Sequence, residues 1–316
     1  MTAPLARDAR LLVIAVARIG DTLLATPAMR ALKAAAPDRR LTVLAHPKRT
    51  EVLEHLPFID RLGPIDKLRA IFRGRAAGRE YDLAVVYGRD AALVDYALRV
   101  ADRVVAFDEE GFPQDPRLVR VPPQSGTHAA LERLRLVEAV GVAPGDRRLA
   151  WHVSPAEREN ALARWPVTAR PLVALQMCSY PTKAHRDWPV ERFVELADAL
   201  PQARFMVLGD EVARQAAGPF MGRHGKRTLL AAGRTTLREA AVLISLADLY
   251  IGVDTGPTHI AGALGVPMVA LYHRDYPGRN LVPLDHPRLR MIECTGAGMD
   301  SIAVSDVRHA AEELLA

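Results

Sequence analysis

An acidic side chain beside a glycine follows the first apolar run of the chain. The segment reads Arg18-Ile19-Gly20-Asp21 and comes directly after the apolar residues 11–17. Glycine permits a tight turn and the close approach of a ligand. An aspartate carboxylate at such a turn could accept a proton from a hydroxyl nucleophile. The alternative is a purely structural role, in which Asp21 caps a helix by accepting backbone N–H bonds.

A second candidate site follows the apolar run 249–253. It consists of six consecutive residues, Asp254, Thr255, Gly256, Pro257, Thr258 and His259. The pattern predicts a strand, a small-residue turn and a helix whose first amides attract an anion such as phosphate. Each residue also has an ordinary structural interpretation as a cap, a turn glycine or a packed histidine. The Walker lysine and the G-x-G-x-x-G spacing are both missing, so neither a P-loop nucleotidase nor a dinucleotide dehydrogenase is favoured.

The elements that must position these residues alternate along the whole chain. Short runs rich in Val, Leu and Ile alternate with amphipathic segments, which predicts an α/β fold of parallel sheets covered by helices on both faces. The predicted strands are 11–17, 41–45, 82–87, 103–106, 171–176, 204–209, 228–231, 249–253 and 268–272. The predicted helices are 22–35, 48–56, 67–77, 91–99, 128–140, 190–200, 211–217, 237–246 and 258–264. Residues 109–123, with four prolines, are expected to form an extended loop.

A chain of 316 residues is about twice the usual size of one domain. We expect two doubly wound domains, 1–150 and 151–316, and the last helix is a candidate for packing back on the first. Ligands of open parallel sheets bind beyond the carboxyl ends of the strands, where the strand order reverses. Two such domains facing one another would share a cleft.

The net charge of +5 comes entirely from the first half of the chain. Residues 1–150 hold 24 Lys and Arg against 19 Asp and Glu, whereas residues 151–316 hold 18 of each class. The densest basic segment contains Lys67, Arg69, Arg73, Arg75 and Arg79, interleaved with Leu68, Ile71 and Phe72. It predicts a helix with a basic and an apolar face, either a solvated surface or a surface for phosphorylated saccharides or lipid headgroups. Nucleic acid is not expected as a partner, because no binding motif accompanies the charge and aromatic residues make up only 5%.

Two cysteines, Cys178 and Cys294, are too few for a disulfide framework, so free thiols and a reducing compartment are expected. The apolar run 11–17 is too short for a signal peptide or a membrane span. We therefore expect a cytoplasmic protein, with peripheral attachment to the cytoplasmic face of the inner membrane left open.

The two motifs together resemble those of glycosyltransferase family 9, the ADP-heptose:lipopolysaccharide heptosyltransferases. The likeness includes the turn at 18–21, the segment Thr26-Pro27-Ala28-Met29-Arg30-Ala31-Leu32 and the string 253–259, and its order and spacing extend over nearly the whole chain. It implies a GT-B fold, two Rossmann-like domains facing a central cleft, with the acceptor bound mainly by the first domain and the nucleotide-sugar by the second. The acceptor would be an anionic glycolipid or saccharide, which agrees with the uneven charge.

The resemblance also implies roles for individual residues, with Asp21 as the general base. The basic residue two places before a Trp-Pro pair is usually a lysine that contacts the diphosphate, and here it is Arg186, with Lys183 as its alternative or partner. Glu211, rather than Asp210, corresponds to a ribose-binding glutamate. The expected donor-binding residues are Gly20, Ser179, Thr182, Lys183, Arg186, Glu211, Asp254, Thr255, Gly256, Pro257, Thr258 and His259. The expected acceptor-binding residues are Arg18, Lys67, Arg69 and Arg73.

The resemblance and these residues together imply an inverting transfer of heptose or a related sugar from a nucleotide-diphosphate donor, expected to be ADP-heptose, to a lipopolysaccharide core or similar glycan. Helix-start amides and a basic side chain would stabilise the leaving diphosphate. No Asp-x-Asp sequence occurs, so neither a metal nor a cofactor is expected. Two alternatives stay open, a nucleotide-sugar 2-epimerase and a non-catalytic protein that binds sugar nucleotides.

Overall fold

The computed structural model describes residues 5–38, 40–73, 78–167, 170–276 and 278–316. The chain divides into two compact units, Met1–His152 and Val153–Ala316. Each unit contains one six-stranded sheet in which every pair of neighbouring strands is parallel. The predicted α/β class with doubly wound parallel sheets is confirmed.

The sheet of the N-terminal unit has the strand order β3-β2-β1-β4-β5-β6. Its strands are β1 (Leu11–Ala15), β2 (Leu41–Ala45), β3 (Arg61–Pro64), β4 (Tyr81–Val86), β5 (Ala101–Phe107) and β6 (Leu118–Val121). Its helices are α1 (Ile19–Leu23), α2 (Thr26–Ala35), α3 (Lys67–Phe72), α4 (Ala91–Val100) and α5 (Ala129–Glu138). The first strand is central, and the strand order reverses between β1 and β4.

The sheet of the C-terminal unit has the order β12-β11-β10-β7-β8-β9. Its strands are β7 (Leu172–Gln176), β8 (Arg204–Val207), β9 (Thr228–Leu230), β10 (Leu249–Val253), β11 (Met268–Tyr272) and β12 (Leu289–Glu293). Its helices are α6 (Pro155–Arg164), α7 (Val190–Ala199), α8 (Glu211–Ala216), α9 (Gly218–His224), α10 (Leu237–Ser245), α11 (Gly256–Leu264) and α12 (Val304–Leu315). The order reverses here between β7 and β10.

The central strands of both sheets are buried along their whole length. All five residues of β1, β2, β7, β10 and β11 are buried, because helices cover both faces of each sheet. Burying one large aliphatic side chain contributes about 1.5–3 kcal/mol, so these strands are the main apolar source of stability in each unit. Candidate site residues follow the carboxyl ends of three of these strands, β1, β7 and β10.

The prediction missed three strands, and all three lie at sheet edges. β3 and β12 contain exposed residues and β6 has two half-buried ones, so none of the three has the continuous apolar run of a central strand. The expectation of an unbroken loop at 109–123 is wrong, because β6 lies within it. The predicted helix 48–56 is also wrong, since this segment forms only a 3-10 turn at Thr50–Val52. His55 adopts a left-handed φ of 65°, which cannot continue a right-handed helix.

The predicted helix 22–35 is divided into α1 and α2. Pro27 lies in the first turn of α2, where its missing N–H is tolerated, whereas it would break a continuous helix. In the predicted helix 67–77, α3 ends at Phe72 and residues 74–77 lie outside the described residues. Arg75 of the predicted basic segment is among them.

The last helix, α12, packs on its own unit. Its apolar face buries Val307, Ala310, Ala311 and Leu314 in the core that covers the C-terminal sheet. The expectation that this helix also packs on the N-terminal unit stays a prediction. Among the helices of the described residues, none is both long enough and apolar enough to cross a membrane.

Ser154 and Glu157 form a capping box at the start of α6, and Glu157 also forms a bidentate salt bridge with Arg238 on α10. Glu157 accepts the Ser154 backbone N–H at 2.8 Å, and Arg238 donates to both carboxylate oxygens of Glu157 at 2.7 Å. The Arg238 guanidinium lowers the pKa of Glu157 to about 2. Because the folded-state pKa lies below the ordinary value, the stabilisation is fully present above about pH 4.5 and is lost as the pH falls through about 2.

We predict that Glu157→Gln lowers the free energy of unfolding by about 1–3 kcal/mol at pH 7, because it removes a charge-assisted bond from a half-buried site. The difference from wild type should shrink as the pH approaches 2. Glu159→Gln, on the exposed side of the same helix, is the matched control and should change stability by less than about 0.5 kcal/mol. Urea unfolding at several pH values measures both variants, and equal losses in the two would contradict the role of the ion pair.

Candidate functional site

Asp21 lies on α1, beyond the carboxyl end of the central strand β1. Its side chain is 45% exposed, and its Oδ1 accepts a hydrogen bond of 2.8 Å from Arg133 Nη2 on α5. The N-cap residue of α1 is Arg18, and no side chain caps this helix among the described residues. The capping interpretation of Asp21 is therefore wrong. Among the described residues Oδ2 accepts no hydrogen bond, so this oxygen is open to a ligand.

Arg133 is a functional candidate that the sequence interpretation missed. It is 112 positions from Asp21 and lies on an amphipathic helix, where an arginine has no distinguishing local pattern. Its side chain is only 15% exposed, and a second bond of 2.7 Å to the Ala129 carbonyl fixes its direction. The guanidinium therefore holds one oxygen of the Asp21 carboxylate in place.

Tyr87 joins this group from the neighbouring strand. It is the first residue after β4, and its backbone N–H donates to the Ile14 carbonyl at 2.9 Å. Burial raises the pKa of the Tyr87 hydroxyl well above its usual value, and the Arg133 charge offsets this only in part. The hydroxyl is buried with no hydrogen-bond partner among the described residues. Asp21, Arg133 and Tyr87 thus gather where the strand order of the first sheet reverses.

The C-terminal unit brings Arg186 and Asp254 together at its own point of reversal. Arg186 ends a 3-10 turn, Pro181–Arg186, that follows β7, and Asp254 directly follows β10. Arg186 Nη1 donates to Asp254 Oδ2 at 2.9 Å, and their side chains are only 13% and 7% exposed. Trp188, two residues further on, is buried and donates from its indole to the Ile302 carbonyl at 3.1 Å. This anchor holds the turn that carries Arg186.

The start of α11 combines buried hydroxyls with uncapped amides. Thr258 donates to the Val253 carbonyl at 2.5 Å and is 2.9 Å from the Tyr250 hydroxyl. Thr255 occupies the N-cap position but makes no side-chain capping bond, so the first backbone amides of α11 can serve an anion. The Thr258 side chain is fully buried and supports the turn, and the expectation that Thr258 belongs to a donor site stays a prediction.

His259, on the same helix, is buried and lies beside Asp254. Its Nε2 is 3.9 Å from Asp254 Oδ1. Asp254 therefore has one oxygen bonded to Arg186 and the other close to the imidazole. The structure brings these three predicted residues into one cluster.

The remaining residues of the turn after β7 are arranged around this cluster. Lys183 Nζ is 5.6 Å from the centroid of the Tyr276 ring, while Thr182 is exposed. The Ser179 backbone N–H donates to Asp187 Oδ1 at 2.8 Å, and its hydroxyl is buried without a partner among the described residues. Burial raises the pKa of the Asp187 carboxyl despite this bond.

Glu211 lies at the start of α8, after β8, and no described contact joins it to the Arg186 and Asp254 pair. It is bonded to Arg214 and Gln215, and the Arg214 guanidinium lowers the pKa of Glu211 to about 2. Asp210 caps α8 by accepting the Ala213 N–H at 3.1 Å. Of Asp210 and Glu211, only Glu211 therefore has a carboxylate that takes no part in the helix cap. The Glu211 side chain is 54% exposed.

The predicted acceptor residues lie on the surface of the N-terminal unit. Arg18 is exposed before α1, Lys67 and Arg69 lie on α3, and Arg73 is the C-cap residue of α3. Leu68 and Phe72, four residues apart on α3, are 70% and 68% exposed. The apolar side chains of this helix are thus presented to solvent together with its basic ones.

The basic side chains of α3 have weak partners on their own surface. Lys67 Nζ is 3.7 Å from Asp90, Arg69 is 3.2 Å from Asp66, and Arg73 donates to the Pro64 carbonyl at 3.2 Å. Because the side chains are exposed, such pairs contribute little and an anionic partner can replace them. Among the described residues, no group of three or more His, Cys, Asp or Glu side chains could hold a metal ion.

The sequence as a whole is similar to known glycosyltransferases. Residues 114–287, more than half of the chain, match the profile of the family described as glycosyltransferase family 9 (heptosyltransferase). Over 287 residues the chain is 27% identical to lipopolysaccharide heptosyltransferase 3 of Escherichia coli (strain K12). The alignment covers 80% of this chain and 79% of that protein.

Two solved structures share the fold over almost the whole chain. The glycosyl transferase family 9 structure from Veillonella parvula DSM 2008 has a TM-score of 0.85 at 22% identity and covers 97% of both chains. The E. coli ADP-heptose lps heptosyltransferase II has a TM-score of 0.80 at 21% identity and covers 97% of this chain and 98% of its own. These likenesses confirm the expected GT-B fold class.

The buried pair of Arg186 and Asp254 predicts a large effect of removing one partner. We expect Arg186→Met to lower the free energy of unfolding by about 3–5 kcal/mol, because it leaves a buried carboxylate without its cation. Adding Asp254→Asn should restore much of the loss. Urea unfolding of the single and double variants measures the coupling.

The matched control for this pair is Arg192→Met, which breaks an exposed pair with Glu195 and should lower stability by less than about 1 kcal/mol. If Arg186→Met and Arg192→Met were equally stable, the buried pair would have no special energetic role.

Proposed function

The chain belongs to glycosyltransferase family 9, the heptosyltransferase family, and we propose that it transfers a heptose from ADP-heptose to a lipopolysaccharide core or similar glycan. The observation that carries this proposal is the pair of clusters at the two points of strand reversal. Asp21 and Arg133 supply a held carboxylate, and Arg186, Asp254 and the start of α11 supply a cationic and amide-rich surface. The names of the relatives support heptose and ADP as the donor components.

On the donor side, the departure of ADP builds negative charge on its phosphate oxygens. The guanidinium of Arg186, the ammonium of Lys183 and the first amides of α11 stabilise this charge. The Glu211 carboxylate accepts hydrogen bonds from the ribose hydroxyls after exchanging its bonds to Arg214. No metal or cofactor is part of the proposed mechanism, and the missing Asp-x-Asp sequence supports this.

On the acceptor side, Asp21 acts as the general base. Arg133 holds Oδ1, and Oδ2 takes the proton of the acceptor hydroxyl as its oxygen bonds to the anomeric carbon. The bond from that carbon to the donor phosphate breaks, and ADP leaves from the opposite face. A single displacement of this kind inverts the anomeric centre. The exposed basic residues of α3 and Arg18 bind the anionic groups of the acceptor.

We expect Asp21→Asn to reduce kcat by about 10²–10⁴-fold, because the amide keeps the size of the side chain but cannot accept the proton. The affinity for ADP should change by less than about twofold. Transfer of heptose from ADP-heptose to a heptose-deficient core acceptor, assayed in EDTA, measures the rate, and calorimetry measures ADP binding.

The control for this variant is Asp95→Asn, an exposed acid on α4 that should leave the rate unchanged. Transfer by Asp21→Asn at close to the wild-type rate would remove Asp21 as the base. Loss of wild-type transfer in EDTA would contradict the metal-independent mechanism. Isomerisation of the nucleotide-sugar without an acceptor would instead favour the epimerase alternative.

We also propose that α3 contacts the cytoplasmic face of the inner membrane. Exposed Leu68 and Phe72 beside basic residues form the pattern of an interfacial helix. At low salt, Lys67→Gln with Arg69→Gln should weaken binding to phosphatidylglycerol vesicles about 10–30-fold, since each basic residue contributes about 1 kcal/mol at such a surface. Vesicle sedimentation measures this loss.

Two controls accompany the vesicle experiment. Vesicles of phosphatidylcholine should bind wild type and variant equally weakly. Val212→Ser, which removes an exposed apolar side chain of the other unit, should not affect sedimentation. Equal binding of wild type to both kinds of vesicle would rule out an anionic surface as the partner of α3.

A further inference from the structure

Tyr276 lies in the turn after β11 and forms a platform beneath the cations of the donor cluster. The Arg186 guanidinium carbon is 3.4 Å from the centroid of its ring, and Lys183 Nζ is 5.6 Å from the same centroid. The first distance is that of a flat stack, in which both dispersion and the ring quadrupole favour the cation. Two basic residues that the sequence assigned to a diphosphate therefore share one aromatic ring.

Arg186 has protein partners on two sides and, within the described part of the chain, none along its Nε edge. Asp254 accepts from its Nη1, and the Tyr276 ring covers one face of the guanidinium. Its Nε is buried and has no hydrogen-bond partner among the described residues. A guanidinium presents five N–H donors in a rigid fork that matches two phosphate oxygens. The Nε edge is thus the part of Arg186 that lacks a protein partner.

The turn that carries Tyr276 is itself fixed. His273 is buried, its Nδ1 accepts the Asp275 N–H at 3.2 Å, and its Nε2 donates to the Ala297 carbonyl at 3.2 Å. The Tyr276 N–H donates to the His273 carbonyl at 2.9 Å. This network places the imidazole proton on Nε2 and sets the direction of the turn.

Ring contacts join the turn after β11 to the turn after β7. His185 packs edge-on against His273 with centroids 5.7 Å apart, and it lies 5.6 Å from the Tyr276 ring. Tyr276 is therefore packed against the same 3-10 turn that supplies Lys183 and Arg186. Its ring has a defined orientation while 37% of the residue stays exposed.

We propose that Tyr276 is a positioning residue of the donor site, which holds the plane of Arg186 so that the Nε edge meets the diphosphate of a nucleoside diphosphate. This inference rests on the proposed function. A lysine ammonium, usual in the family the sequence resembles, is a point charge that needs no fixed plane, whereas a guanidinium binds two oxygens only in the correct plane. The stack on Tyr276 provides that plane.

Calorimetric titration with ADP tests the proposal in a double-mutant cycle. Tyr276→Leu should weaken ADP binding about 10-fold, and Tyr276→Phe, which keeps the ring face, should stay within about threefold of wild type. In the Arg186→Lys background, Tyr276→Leu should change the affinity by less than about threefold. Tyr276→Gln is a second variant without a ring, in case Tyr276→Leu does not fold.

The matched control is Tyr180→Leu, the same substitution at a tyrosine that is 65% exposed in the same unit, with an expected change of less than about twofold. Urea unfolding of each variant should show one cooperative transition, so that a loss of ADP affinity is not a loss of folding. If wild type does not bind ADP, the proposed function fails. If wild type binds ADP and Tyr276→Leu binds it equally well, the positioning role fails and the proposed function stands. The same conclusion follows if Tyr276→Leu lowers the ADP affinity as much in the Arg186→Lys background as it does in wild type.

Discussion

Both halves of the chain depend on one constraint of open parallel sheets. Where the strand order reverses, the connections from two neighbouring strands leave toward opposite faces, and a crevice opens at their carboxyl ends. In the first sheet these strands are β1 and β4, followed by Asp21 and Tyr87. In the second they are β7 and β10, followed by the turn of Arg186 and by Asp254. The winding of each sheet thus selects which residues can do chemistry, before any side chain is considered.

Within the second crevice, buried anchors give the polar groups their positions. The indole of Trp188 is bonded to the Ile302 carbonyl, and the hydroxyl of Thr258 is bonded to the Val253 carbonyl and Tyr250. Trp188 lies two positions after Arg186 in the sequence, and Thr258 lies four positions after Asp254. Neither side chain takes part in the proposed chemistry. Their role is to hold short turns rigid, because a buried ion pair needs accurate geometry to offset the loss of hydration.

The central strands could be predicted from the sequence because they are buried on both faces. Residues 41–45, 249–253 and 268–272 match the structure at both ends, since a helix-covered strand needs an uninterrupted apolar run. The edge strands β3, β6 and β12 are partly exposed, so the same signal is missing there. The predicted helix 48–56 rests on an amphipathic pattern, and that pattern does not reveal the left-handed backbone of His55.

The residues of the candidate site also divide into those that the sequence could predict and those that it could not. Asp21 and Asp254 could be found because each follows an apolar run and adjoins a glycine-containing turn, a local pattern. Arg133 and Tyr276 could not, because their roles arise from contacts with residues 112 and 90 positions away. Nothing in the neighbouring residues distinguishes either from an ordinary helix arginine or turn tyrosine.

The carboxylate of Asp254 has a consequence for product release. Since Arg186 already has an anionic partner within the protein, a diphosphate at its Nε edge in the proposed donor site would meet a guanidinium whose charge is partly compensated. The same carboxylate would weaken the attraction between that guanidinium and the nucleotide after the sugar has been transferred. A spent nucleotide would leave behind a cation that keeps a fixed neighbour of opposite charge, so recognition of the donor need not trap the product.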